Sequence, residues 1–293
     1  MGIFHFLQEI NIFSRFIARN EKCKKLPSIN LTDKKPFFLF YFAGKIWVIK
    51  ARKEVILSAG SLNSAQLLML SGIGPKWHLD QLGLPVLADL PVGENLQDHY
   101  GTGAMTFTVE KPVTLVQTRY ENIPSVLKYA MFGSGPLTVL GGVEGLGWIP
   151  TKFENRSKDW PDIEFHFVSG CLASDGGRQV RKVHGVSDNM WQMYRPLAFR
   201  DCWSIIPMLL RPYSRGSVRL RSANPYDKPI FNAGYFTDHR DMEIMVEAVK
   251  FSLALAETES FKKYGTKFWD QVPMPGCEQT NLWTDEYWAC ITR

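Results

Sequence analysis

No stretch of this 293-residue chain approaches the roughly eighteen consecutive apolar residues of a membrane-spanning helix, so no transmembrane segment is expected. Its first twenty residues are apolar but broken by Gln8, Glu9, Asn11 and Arg15, and no basic region precedes an uninterrupted apolar core, which argues against a secretory signal there. The five cysteines, Cys23, Cys171, Cys202, Cys277 and Cys290, are widely spaced, with no C-x-x-C pair and no histidine at zinc-site spacing. A structural metal is therefore not expected, and the odd count leaves at least one thiol unpaired within the chain. No G-x-S-x-G elbow occurs, which removes the commonest hydrolase arrangement.

A dinucleotide-binding fold usually opens with a strand, a G-x-G-x-x-G turn and a helix whose first turn holds the pyrophosphate. That fingerprint is missing. Gly72-Ile-Gly74 runs into Pro75, and Gly141, Gly142, Gly145 and Gly147 have the wrong spacing. Charge is equally unremarkable: 34 basic against 29 acidic residues give a formal +5 without a block of like sign. The densest basic stretch, Arg211, Arg215, Arg219 and Arg221, has Arg219 and Arg221 alternating with Val218 and Leu220, the pattern of a strand with one solvated face. No nucleic-acid partner is expected.

What remains is the composition of a folded protein, 45% hydrophobic and 13% aromatic, with its information concentrated between residues 54 and 99. Glu54-Val-Ile-Leu-Ser-Ala-Gly60 predicts a strand covered on both faces that ends in a small-residue corner. A short helix should follow, capped by Asn63 or Ser64, apolar through Leu67, Leu68 and Leu70, and stopped by Gly72. Pro91-Val-Gly-Glu-Asn-Leu-Gln-Asp-His99 is a polar loop. In open α/β sheets a ligand sits outside the carboxyl ends of the strands, which draws attention to Ala59 and Gly60.

These residues closely resemble the glucose-methanol-choline (GMC) family of FAD-dependent oxidoreductases, with the FAD, quinone-type glucose dehydrogenases as the nearest branch. Gly60 to Gly74 looks like a family signature, with Ala65 where Pro or Ser is usual, and Val92-Gly-Glu-Asn-Leu-Gln-Asp-His99 looks like the loop after the flavin-domain helix. Gly135-Pro-Leu-Thr138, Pro161-Asp-Ile-Glu-Phe-His166 and the stretch from Leu210 to Pro225 extend the likeness. The resemblance implies a flavoprotein with FAD as cofactor, oxidising the CH–OH group of an alcohol or sugar, with a quinone or oxygen as electron acceptor. Family members are longer, with the phosphate fingerprint near the amino terminus and a catalytic His near the carboxyl terminus. The chain is thus expected to be an internal fragment that by itself neither holds flavin nor turns over. The competing expectation is a non-catalytic binding or interaction module that keeps the substrate-side scaffold.

The expected fold is α/β plus α+β in three stretches: residues 1–35 as an unmatched leader, 36–100 as part of a Rossmann-like FAD-binding domain, and 101–293 as a substrate domain that stops before the catalytic segment. In the second, 37–42 and 46–49 read as a hairpin around Ala43-Gly44-Lys45. The substrate domain should be an antiparallel sheet backed by helices, with strands at 102–109, 163–168, 203–210 and 217–222. Helices are expected at 124–132 and from a cap at Asp238 to about residue 257, and a long loop at 170–200.

Flavin oxidation of an alcohol needs a base for the hydroxyl proton while the carbon-bound hydrogen passes to the cofactor. No residue is assigned as catalytic and none as a metal ligand. The candidate cofactor-binding residues are Ala59, Gly60, Asn95, Asp98 and His99. For the last three, a loop touching flavin and a polar loop bonding its own backbone both remain open. His166, between Phe165 and Phe167, reads as a strand residue, and His78, His184 and His239 as surface groups. Asn30-Leu-Thr32 and Asn155-Arg-Ser157 would serve as glycan acceptors if the parent protein is extracellular; the sequence assigns no compartment.

Overall fold

The computed structural model describes residues 37–42, 45–103, 105–139 and 141–293, so the 1–35 leader and Cys23 lie outside the described residues. Among these, the strands in chain order are β1 (Phe37–Phe42), β2 (Lys45–Lys50), β3 (Ile73–Gly74), β4 (Ala88–Asp89), β5 (Tyr100–Gly101) and β6 (Thr106–Thr108). They continue with β7 (Val143–Ile149), β8 (Ile163–Val168), β9 (Cys202–Leu209), β10 (Ser217–Arg219), β11 (Ile230–Asn232) and β12 (Lys267–Phe268). The chain divides into two compact units at Asp98/His99, and the segment Ser214–Thr237 returns to the first unit. Sequence reading kept that segment with everything after residue 100; the reason for the difference is that Val218 and Leu220 complete the first unit's core.

In the first unit β1 and β2 form the expected antiparallel hairpin, Phe37 opposite Lys50 and Phe42 opposite Lys45. The strand expected at Val55-Ile56-Leu57 does not form. Nothing among the described residues pairs with it, and Ile56 is 78% exposed. A parallel strand buried on both faces needs neighbours on both edges, and an apolar run without them has no ladder to join.

The motif helix runs Gly60–Leu70, starting earlier than Asn63 or Ser64 would cap it. Gly60, at φ 81°, makes the corner, and Ser64 turns back to accept a hydrogen bond from the Ala59 N–H at 3.1 Å. Met69 and Leu70 are its buried apolar residues, whereas Leu67 and Leu68 are only partly covered. They pack with Leu79, Leu84, Val218 and Leu220 into one small core. Gly72 ends the helix at φ 86°, where a Cβ would lie 2.5 Å from the Pro85 carbonyl oxygen, and β3 then pairs in parallel with β4.

The second unit is a six-stranded antiparallel sheet in the order β12-β6-β9-β8-β7, with β5 also on β9. β8 matches its expected bounds and β9 falls within one residue of them. The expected 102–109 strand shortens to β6, with β5 a separate short strand ahead of it that meets β9 at another point, and 217–222 shortens to β10 in the other unit. The long helix His239–Ala256, capped by Asp238 through the Arg240 N–H, turns Met242, Met245, Val246 and Val249 inward at the expected spacing. Phe165 stacks on Phe251 with ring centroids 5.1 Å apart, and Trp203 lies between Phe107 at 4.4 Å and Phe261 at 4.6 Å. The second helix, Ile123–Phe132, has Asn122 as its cap and Gly133 in the left-handed region after it.

Residues 170–200 are not the long loop expected. They contain helices Val180–Val183 and Asp188–Tyr194, and the disulfide Cys171–Cys202 closes the excursion. Its pivot is the buried Asp175. Burial pushes that carboxyl up, but backbone N–H groups of Val180, Gln179, Gly177 and Arg178 outweigh it and hold it below the ordinary carboxylate range. A second disulfide, Cys277–Cys290, ties the carboxyl-terminal helix Asp285–Thr292 to the preceding loop. Among the described residues no helix is long and apolar enough to cross a membrane.

Replacing Phe165, 1% exposed in this core, by alanine should cost about 3–5 kcal/mol, whereas Trp148→Ala, at 52% exposure on the adjacent strand, should stay within about 0.5 kcal/mol. Denaturant unfolding of the two variants checks this; equal losses would mean that the sheet's helix-covered face is not the core.

Candidate functional site: the 91–98 loop and the motif helix

The loop after the motif helix is held by an isolated antiparallel bridge between Leu96 and Gly216 and by a further backbone hydrogen bond to Gly93. Val218 N–H donates to the Gly93 carbonyl at 2.6 Å, Leu96 N–H to Gly216 at 3.0 Å, and Gly216 N–H back to Leu96 at 2.7 Å. Such an approach leaves no room for side chains at the contact. A Cβ on Gly93 would stand 2.2 Å from the Val218 carbonyl oxygen, and one on Gly216 would stand 2.1 Å from that of Asn232. Leu96 is half-buried, while Glu94, Asn95, Gln97 and Asp98 are exposed.

Polar side chains then lock the loop. Asn95, at φ 64°, accepts from Arg215 Nε at 2.7 Å, Asp98 accepts from the Tyr235 hydroxyl, and Glu94 pairs with Arg219. Asparagine is among the few residues that tolerate the left-handed region. Arg219 also lies over the Trp77 ring, 5.4 Å from its centroid. It is therefore engaged rather than simply solvated, although its alternation with buried Val218 and Leu220 is as expected.

The start of the motif helix is the open part of the site. Ala59 and Gly60 form the corner, and no side chain caps the helix amino end, so its first-turn N–H groups are not taken by a side chain. Gln66, buried one and a half turns further on, donates from Nε2 to the Asp227 carbonyl at 2.9 Å and anchors the helix on the turn after β10. His99 is exposed and opens the second unit. Of the five candidates, Asn95 and Asp98 share one bonded loop, and Ala59 and Gly60 share one corner.

His78 was expected at the surface and is buried. Its Nε2 accepts the Leu220 N–H at 3.0 Å, which requires the neutral ring. Burial and, after it, the Arg219 guanidinium push its pKa below the ordinary histidine value. The structural roles of Gln66, Asp227 and Tyr235, and the burial of His78, were not legible in the sequence, because each finds its partner in a segment more than a hundred residues away. His166 bonds Glu164 at 3.1 Å on β8, as a strand residue should. Among the described residues no group of three or more His, Cys, Asp or Glu could hold a metal ion.

Two predictions follow from this packing. Gly93→Ala should cost about 1–3 kcal/mol from backbone strain alone and more from the clash, whereas Gly83→Ala, at φ 66° with nothing within 4 Å of the added Cβ, should cost only about 1–2 kcal/mol. Equal losses in chemical unfolding would count against the close approach as the loop's anchor. Because His78 is held neutral, its contribution is complete above the unfolded-state value of about 6.5 and is lost as pH falls through the lower folded value. The unfolding temperature of the first unit should therefore drop on acidification, and His78→Gln should flatten that drop; an unchanged pH profile in the variant refutes the assignment.

The GMC oxidoreductase family pattern matches this chain over residues 13–101 and again over 212–293. The first match begins inside the 1–35 stretch that sequence reading set apart. The FAD, quinone glucose dehydrogenase of Drosophila pseudoobscura pseudoobscura is 33% identical over 251 residues, covering 85% of this chain and 37% of its own length. The ecdysone oxidase of Bombyx mori is 32% identical over 260 residues, covering 85% and 36%. The crystal structure of a formate oxidase superposes with a TM-score of 0.69 at 25% identity, over 92% of this chain and 47% of that one. The chain thus spans little more than a third of the length of these curated relatives, and on both family matches it belongs to the GMC oxidoreductase family.

Proposed function

We propose that the whole protein is an FAD-dependent oxidoreductase acting on the CH–OH group of an alcohol or sugar, glucose dehydrogenase-like, with a quinone or oxygen as acceptor. The observation that carries this reading is the signature region, in which the Gly60–Leu70 helix is followed by the clamped 91–98 loop, in a chain of this family. Flavin, when bound, supplies the hydride acceptor that no side chain can be.

The residues present fit part of that cofactor. The first-turn N–H groups of the Gly60–Leu70 helix, from Gly60 onward, are offered to an anionic or polar part of FAD, while the Ala59 N–H is taken by Ser64 and fixes the corner. Asn95 and Asp98 shape the loop through Arg215 and Tyr235, so their part is to hold its backbone in place. His99, exposed and next to them in the chain, keeps its ring for a ligand. The chain has no G-x-G-x-x-G, so the pyrophosphate cradle is not among its own motifs.

The test compares the protein as its cells make it with the 293-residue chain alone. The natural protein should show a flavin absorption band and reduce a quinone dye in the presence of an alcohol or sugar, while the isolated chain should be colourless. A flavin-free natural protein overturns the reading in favour of a scaffold without redox chemistry. In the natural protein His99→Ala should lower flavin retention at an unchanged unfolding temperature; full retention removes His99 from the site.

A further inference from the structure

The second unit carries an exposed acceptor triplet and two disulfides. Asn155-Arg-Ser157 has the acceptor spacing for an N-linked glycan, with no proline in it. Many such triplets are never used, so accessibility and local conformation decide. Asn155 and Ser157 are both exposed, on the connection between β7 and β8. The Asn155 side-chain oxygen accepts from the Ser157 backbone N–H at 3.0 Å and from the Ser157 hydroxyl at 2.8 Å. Both bonds fall on Oδ1, and no described residue bonds Nδ2, the atom that a sugar would take. These bonds fix the orientation of the side-chain amide while Nδ2 stays unbonded.

The loop is anchored on both sides without burying the acceptor. Thr151 bonds the buried Asp162 through its N–H at 2.8 Å and its hydroxyl at 2.5 Å, and Arg211 Nη2 reaches Glu154 at 2.9 Å. Phe153 and Trp160, 44% and 58% exposed, flank the triplet and give it apolar surface that a glycan would cover. An independent observation points to the same cellular route: four of the five cysteines form disulfides, Cys171–Cys202 with Cα atoms 5.8 Å apart and Cys277–Cys290 at 5.9 Å. Disulfides of this structural kind form in oxidising compartments and are rare where thiols are kept reduced.

We propose that this protein folds in the oxidising secretory pathway and carries an N-linked glycan on Asn155. The donor is a lipid-linked oligosaccharide pyrophosphate. The Asn155 amide nitrogen forms a bond to the anomeric carbon, the bond from that carbon to the pyrophosphate oxygen breaks, the lipid pyrophosphate leaves with the electron pair, and the amide gives one proton to a base of the transferase. The glycan stands on the β7–β8 connection of the second unit.

Mass spectrometry of peptides from the natural protein tests this, before and after glycosidase release in heavy-oxygen water. The Asn155 peptide should be found glycosylated, and released as isotopically labelled Asp, while Cys171–Cys202 and Cys277–Cys290 resist alkylation until reduction. In cultured eukaryotic cells Asn155→Gln and Ser157→Ala should each remove one glycosidase-sensitive increment of mobility, and Ser157→Thr should keep it, which separates loss of the acceptor from misfolding. An unmodified Asn155 peptide in disulfide-bonded natural protein overturns the proposal, as would free thiols at all four cysteines, or an undiminished glycan in Ser157→Ala.

Discussion

The first unit depends on a backbone contact that only glycine permits. At Gly93 and Gly216 the main chain comes so close to Val218 and Asn232 that an added methyl would overlap a carbonyl oxygen by more than an ångström of ordinary contact distance. That proximity lets the 93–96 backbone hydrogen-bond to 216–218 through an isolated antiparallel bridge and the Val218 N–H to Gly93 bond. Once it does, Val218 and Leu220 reach the face of the motif helix and close the core with Met69 and Leu79. Arg215 and Arg219, on the same segment, then meet Asn95 and Glu94. The Arg219–Glu94 ion pair and the Arg215–Asn95 hydrogen bond add modest stability near the solvent, and their value lies more in the register they fix.

This arrangement explains how the 60–98 region and the 214–237 segment, separated by over a hundred residues, act as one unit. The turn around Asp227 receives Gln66 of the helix, and Asp227 itself accepts from the Ser222 hydroxyl and from Asn224. His78 finishes the join by accepting the Leu220 N–H. A buried donor left unsatisfied costs about 1–3 kcal/mol, so each of these bonds restricts which residues the position will accept.

Legibility differed with the range of the forces involved. The helix from His239 to Ala256 was readable because its cap, its apolar period and its end are all local, and the same holds for Asn122 and Gly133 around the shorter helix. β8 was readable from alternation. Ser214–Thr237 was misplaced because its destination depends on glycine clearances and on partners far away in the chain, neither of which leaves a periodic signal. The 170–200 segment hid its helices for another reason: Asp175, accepting several backbone N–H groups, and the Cys171–Cys202 bond organise it in place of an apolar period. At the candidate site the identities of Asn95 and Asp98 were legible and their structural partners, Arg215 and Tyr235, were not.

The strand that failed to form is the most instructive of these differences. Val55, Ile56 and Leu57 are good strand formers, yet propensity alone does not make a strand, because the backbone must also find hydrogen-bonding neighbours. The Gly60 corner and the helix behind it form regardless, held by the Ser64 hydroxyl and the Met69–Leu79 core. The corner's geometry is therefore set from the helix side. Any surface laid against Ile56 would gain its apolar area without having to build the corner first, and the uncapped N–H groups of the motif helix would already be in position beside it.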